Sequence, residues 1–158
     1  MDVFVFGGGE SGELGLGPKE IDGEQPTDVQ HPRINRLLDA KTVGVVQIAV
    51  GGMHCVALTQ DQKILTWGVN DNGALGRDTD LDSEDEDEDN VLSPKESTPT
   101  AIPTDSFGKG VEAFVRVAAT DSASFALTLD GSVYGWGTFS VSTSINPIVI
   151  TMLIILGR

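Results

Sequence analysis

The side chains best suited to chemistry here are two histidines, one cysteine and a run of glycines, and their spacing gives them little to do. His31, His54 and the single Cys55 provide neither the number nor the spacing of a structural zinc site, which takes four nitrogen or sulfur ligands. One cysteine forms no intrachain disulfide and fits a reducing compartment. Cys55 has no base defined beside it in sequence to activate the thiol, so it reads more simply as a small buried residue than as a nucleophile. Gly7-Gly8-Gly9 is not followed by the Gly-Lys-Ser/Thr that holds phosphates in a P-loop, and reads as a turn. No catalytic residue, cofactor or metal is assigned.

Charge is concentrated rather than spread. The 158 residues carry 24 acidic and 10 basic side chains, a formal charge of −14, and the segment from Asp78 to Asp89 holds nine of those acids. The rest of the chain is then only moderately acidic, at −5. A run of like charges with few apolar residues cannot repay the entropy of ordering, so residues 78–89 are expected to form a loop insertion. It is either a solvated spacer or a patch for a basic partner. It lacks the glycine and terminal glutamate placement of an EF-hand, and it repels a DNA backbone. No signal-peptide pattern opens the chain. The apolar stretch Ile148 to Leu156 is nine residues long, where a membrane helix needs about 20. No membrane contact is expected. Residues 140–158 read as an added strand, an alternative end or an aggregation hazard.

Glycine supplies the larger clue. There are 19, many at recurring places. Residues 46–69, VQIAVGGMHCVALTQDQKILTWGV, register with 115–138, VRVAATDSASFALTLDGSVYGWGT, at a spacing of 69, aligning Trp67-Gly68 with Trp136-Gly137. FVFGGGESGELG registers with LTWGVNDNGALG at a spacing of 61, aligning Gly7 with Gly68 and Leu14-Gly15 with Leu75-Gly76. The acid-rich insertion accommodates the difference, since loops tolerate length changes. Each unit reads as short strands joined by turns: Val46 to Val50, Gly51-Gly52, Cys55 to Thr59, Lys63 to Trp67, and then Val115 to Ala119, Ser124 to Thr128, the Asp130-Gly131 turn and Ser132 to Trp136. Outer strands are expected around Arg33 to Leu37 and Thr100 to Ile102. The chain is therefore read as all-β, an incomplete propeller over residues 1–139 with about two blades and an initial part-blade; a non-closing solenoid is the alternative.

GVNDNGALGRDT at Gly68 to Thr79 resembles the signature of the regulator of chromosome condensation family. GGMHCVALT and TDSASFALTLDGSVYGWGTF extend that resemblance over about residues 1–139, most closely toward the fungal nuclear guanine nucleotide exchange factors for the Ran GTPase. The resemblance implies a seven-bladed propeller with one face for a Ran-like small GTPase and another face or a tail for histones or nucleosomes, in a nuclear, chromatin-associated protein. A truncated form could also be cytoplasmic. Such a factor speeds nucleotide release by binding the weakened nucleotide state more tightly, without covalent chemistry. The resemblance stops near Phe139, where a polar, glycine-containing wedge would continue, so this chain by itself is expected to fall short of full exchange. A noncatalytic interaction module and a chromatin-binding module without GTPase contact stand beside that reading.

Several residues are then candidates for partner contact. Asp121 resembles an acidic position on the GTPase-facing surface, though it can equally cap its own turn. Asp71, Asn70 and Asn72 can contact a partner or organise their loop. Arg77 can support the acid-rich segment or project outward, and Thr138-Phe139 resemble the start of the wedge. His54 is expected to orient a blade turn through its ring. Trp67 and Trp136 are expected to pack between blades, as are Leu75 and the repeated glycines.

Overall fold

A computed structural model describes residues 1–80, 89–111 and 113–138. Phe139, residues 140–158 and most of the acid-rich segment lie outside the described residues. The strands are β1 Phe4–Gly8, β2 Asp28–Ile34, β3 Val45–Val50, β4 His54–Thr59, β5 Ile64–Gly68, β6 Thr100–Ala101, β7 Phe114–Ala119, β8 Ala123–Thr128 and β9 Val133–Gly137. They form three antiparallel sheets, β1-β2, β3-β4-β5-β6 and β7-β8-β9. The bounds of β3, β4 and β5 displaced by 69 residues reproduce those of β7, β8 and β9. The register also shifts at the same place, between Val45 and Gln47 and between Phe114 and Arg116. Repetition in sequence has become repetition in backbone.

Two expectations about outer strands meet different fates. Thr100–Ala101 does pair with β5, Leu65 opposite Ala101. The strand expected around Arg33 to Leu37 lies earlier, at Asp28–Ile34, and Arg36–Leu38 form a single 3₁₀ turn. Asn35 makes that break: its side chain accepts from the Leu37 amide and donates to the carbonyls of Leu14 and Gly15, so the backbone turns inward after Ile34. Pro32 is tolerated in β2 because it sits on an outer strand, where no ladder donor is required. One short helix, Pro94–Ser97, and a 3₁₀ turn, Thr104–Phe107, carry the chain around β6.

The middle sheet is apolar on both faces, and every residue of β4 and β5 is buried. On one side Cys55, Ala57, Leu65 and Trp67 pack with Val3 and Val5 of the first sheet's edge. On the other Val56, Leu58 and Ile64 pack with Phe114, Val117, Ala126 and Trp136 of the third sheet. Alternate residues of one strand thus serve two different cores, which is what a sheet stacked between two neighbours requires. Phe107, Phe114, Tyr134 and Trp136 meet edge to face, with Phe107 and Phe114 centroids 4.9 Å apart, the geometry that the aromatic quadrupole favours.

A candidate partner-binding face and the clamps beneath it

Antiparallel pairing puts the β3–β4 connection at the same end as the C-terminus of β5, and the β7–β8 connection at the same end as that of β9; the Gly52 amide, donating to the Asp121 carbonyl, brings these two ends together. This upper end gathers the Gly51-Gly52 loop, the loop after Gly68, the Asp121 loop and Thr138. The tight turns at residues 60–63 and 129–132 lie at the opposite end.

Beneath the upper face, the sheets are joined by a clamp that occurs twice. The Trp67 indole Nε1 donates to the Glu13 carbonyl at 2.9 Å, and the Trp136 indole to the Ala74 carbonyl at 2.8 Å. Glu13 and Ala74 each precede the repeated Leu-Gly pair. Opposite each tryptophan on the middle strand stands a small polar residue that reaches the same carbonyl: the Cys55 thiol approaches Glu13 O at 3.7 Å, and the Ser124 hydroxyl donates to Ala74 O at 2.9 Å. Gly15 and Gly76 lie against the indoles. A Cβ at Gly15 would stand 2.7 Å from Trp67 Nε1, and one at Gly76 2.7 Å from Trp136 Cδ1. Both also hold φ near +65°, so only glycine satisfies the space and the backbone together.

Burial pushes the Cys55 thiol up to about 12, with the Glu13 charge adding to the effect. The thiolate is therefore negligible near neutral pH, which removes Cys55 as a nucleophile.

His54 binds outside its own blade. Ser124 gives its hydroxyl proton to Ala74 O, so at 2.9 Å it accepts from His54 Nε2, which fixes the Nε2–H tautomer. Burial lowers the His54 pKa, and the Asp121 charge works the other way, so the ring is neutral at pH 7. This placement accounts for the two departures between the repeats. A Cβ at Gly51 would lie 2.3 Å from the His54 ring; the equivalent pair is Thr120 and Ala123, where a small side chain in the histidine slot leaves room for threonine. Gly52 is similarly crowded by Asp121, whose Oδ1 would stand 2.4 Å from its Cβ.

The residues singled out for partner contact divide. Asp71 and Asp121 are exposed at the upper face. The Asp121 carboxylate accepts from the Ser122 hydroxyl at 3.2 Å, and its carbonyl from the Gly52 amide at 3.3 Å. Thr138 is exposed and donates to the Asn72 carbonyl at 3.3 Å, which joins the end of β9 to the loop carrying Asp71. Asn70 instead organises its own loop, donating to Arg77 O and Thr79 Oγ1 and accepting from the Leu75 amide.

Arg77 needs correction as an outward contact. Its guanidinium turns into the blade, donating to Thr66 Oγ1 at 3.1 Å and Thr66 O at 2.9 Å. Burial lowers its pKa to about 10 while the Glu96 charge opposes the shift, so it stays charged at pH 7. Glu96 also accepts the Asn70 amide. Arg77 thus supports β5 and the loop above it. Phe139 lies outside the described residues.

Two positioning residues escaped the sequence reading. Gln47 spans from β3 to β7, donating to Val117 O and accepting from Val117 N, each at 3.0 Å. Arg116 occupies its position in the other repeat, so periodicity offered no signal for it. Ser124 was legible only as the register mate of Cys55.

Known proteins agree with this architecture. The regulator of chromosome condensation (RCC1) repeat model matches residues 2–58 and 61–127. The guanine nucleotide exchange factor SRM1 of Saccharomyces cerevisiae is 43% identical over 92% of this chain and 32% of its own length. Protein pim1 of Schizosaccharomyces pombe is 40% identical over 92% of this chain and 25% of its own. The crystal structure of Prp20p from Saccharomyces cerevisiae, described with its binding properties to Gsp1p and histones, superposes with a TM-score of 0.72 at 41% identity, covering 91% of this chain and 30% of that one. The chain spans a quarter to a third of the length of these relatives, and its sheets are blades of their β-propeller. It belongs to the regulator of chromosome condensation repeat family.

Proposed function

We propose that this chain is part of a guanine nucleotide exchange factor for a Ran-like GTPase, and that its upper face supplies part of the GTPase contact. The similarity to SRM1 over 92% of the chain carries the reading. The exposure of Asp71, Asp121 and Thr138 at one end of adjoining blades supports it. Carboxylates there would accept charge-assisted bonds from lysine or arginine on the GTPase. Residues 1–139 are taken as an incomplete propeller, so the contact is partial: the chain binds the GTPase but does not by itself pull the nucleotide-free state down far enough to speed release. Histones are the second partner. The relative Prp20p is described with histone binding, and a net charge of −14 suits a basic protein. The protein acts in the nucleus, on chromatin.

The test is release of a fluorescent GDP analogue from Ran, with the chain in excess. The expected result is binding in a pull-down with release at the spontaneous rate. Acceleration by the chain alone would overturn the partial-contact part of the proposal, and absence of binding by a folded chain would overturn the GTPase reading. Capture of histone octamers without the GTPase would transfer the function to chromatin alone.

A further inference from the structure

Seven prolines punctuate the chain, and two of them follow a hydroxyl residue: Ser93-Pro94 and Thr98-Pro99. Such a pair is what a proline-directed protein kinase reads, because its pocket for the following residue leaves an ordinary backbone N–H without a partner and proline has none to lose. The two pairs are presented differently. Pro99 lies against the first sheet's loop, its Cγ 3.1 Å from where a Cβ on Gly15 would stand, and Thr100 then pairs with Thr66 of β5. Ser93 is half-buried and follows the exposed Val91 by two residues, with φ −56° and ψ 120°, outside the helical region as a following proline requires. Its hydroxyl makes no bond to the helix that follows. Ser97, by contrast, is fully buried, and its hydroxyl donates to Ser93 O at 2.7 Å.

Residues 91–97 form a strut between two loops. The Val91 and Leu92 amides donate to Pro18 O at 2.7 and 3.2 Å, the Gly17 amide donates to Ser97 O at 3.0 Å, and the Glu96 carboxylate accepts from the Asn70 amide at 3.0 Å. Asn70 in turn holds the Leu75 amide, so Glu96 braces the loop that carries Asp71. Ser93 and Glu96 belong to one helical turn, the Glu96 amide donating to Ser93 O at 3.3 Å, and side chains three apart on a helix are neighbours. A phosphate on Ser93 carries about −1.5 to −2 charges at pH 7. The cation nearest in effect to Glu96, Arg77, is already bonded to Thr66, and Lys95 donates to Asp80 O. Like-charge repulsion therefore falls on Glu96.

We infer that Ser93 is a phosphorylation site for a proline-directed serine/threonine kinase, and that phosphate there repels Glu96 from the Asn70 amide and loosens the loop from Asn70 to Gly76. In the transfer, Ser93 Oγ bonds the γ-phosphorus of ATP as the bond to the β-phosphate oxygen breaks, ADP leaves, and the hydroxyl proton passes to the kinase's catalytic carboxylate. The Pro94–Ser97 helix is one turn long, and so short a helix opens locally at little cost, which presents Ser93-Pro94 in extended form. The inference goes beyond the exchange reading and does not rest on it.

In the test, the full chain is incubated with ATP and a purified mitogen-activated protein kinase, the product is mapped by mass spectrometry, and amide exchange at Asn70 and Leu75 is compared before and after. Phosphate is expected at Ser93, absent in Ser93→Ala and retained in Thr98→Ala, with circular dichroism checking that each variant keeps its strands. Exchange at Asn70 should rise about tenfold, the effect of losing one hydrogen bond to a charged group. Glu96→Gln keeps an acceptor for the Asn70 amide without the charge, so phosphate on that variant should raise exchange by less than about twofold. No transfer to the folded chain, under conditions that phosphorylate a peptide of residues 89–98, would overturn the site, as would transfer to Thr98 instead. Phosphate at Ser93 with exchange unchanged or slowed, or rising equally in Glu96→Gln, would overturn the coupling to the loop. None of these readouts involves the GTPase, so this inference and the exchange proposal fail separately.

Discussion

Replacing Gly76 by alanine tests the interblade clamp at its tightest point. Two costs are expected. The backbone at φ +65° charges an L-residue about 1 kcal/mol. The new Cβ would stand 2.7 Å from Trp136 Cδ1 and 2.9 Å from two further indole atoms, and Trp136 is 5% exposed, packed in the core. Moving it loses the bond to Ala74 O, about 1 kcal/mol, and overpacks the surrounding core, about 1–3 kcal/mol. The total is about 3–5 kcal/mol, a large part of the roughly 5–15 kcal/mol of a whole domain. Gly73 provides the control. It holds φ +68°, but a Cβ there meets nothing within 4 Å, so Gly73→Ala carries only the backbone cost. Urea unfolding followed by tryptophan fluorescence should place the two variants at least about 2 kcal/mol apart, or roughly 1 M in midpoint for a slope near 2 kcal/mol/M. Equal losses within about 0.5 kcal/mol would show that the indole does not clamp the loop.

Other perturbations follow from the same contacts. Cys55→Ser is expected to change stability by less than about 0.5 kcal/mol because serine already fills the equivalent position, whereas Ser124→Ala removes the acceptor for His54 and a donor to Ala74 O and should cost about 2 kcal/mol by the same unfolding assay. Gln47→Leu strips both partners from the Val117 backbone and should cost about 2 kcal/mol, with Val117 amide exchange accelerating. The His54 pKa is lowered on folding, so its stabilising contribution is complete above the ordinary value of 6.5 and is lost as pH falls from there through the lowered folded value. The urea midpoint of the parent protein should therefore fall more steeply between pH 7.5 and 5 than that of His54→Gln; parallel curves would contradict the buried neutral ring.

Much of the fold was readable because period and turn chemistry are local. The Thr59-Asp61 and Thr128-Asp130 side-chain bonds close equivalent hairpins, and the paired strands fall within a residue of the repeat's alternation. Arg77 was harder to place. The choice between an outward cation and an inward one bonded to Thr66 depends on how a loop folds back over β5, which spacing does not encode. Gln47 was invisible for a related reason: its bonds cross from one sheet to the next, and the equivalent position holds arginine. Asn35 did leave a signal, since asparagine before two leucines favours a cap, but the prolines nearby drew the strand boundary too late. At the upper face, the Asp121 loop was legible through its register with Gly51-Gly52, while its contact with Gly52 needed the two sheets placed side by side.

Affinity for Ran in its nucleotide-free and GDP-bound states, measured with the parent chain and with Asp121→Lys, tests the central claim most directly. An exchange-factor surface must favour the state it promotes. The parent chain is expected to bind nucleotide-free Ran more tightly than the GDP-bound form, and Asp121→Lys to lose that preference. Equal affinity for the two states, or a preference untouched by Asp121→Lys, would contradict it.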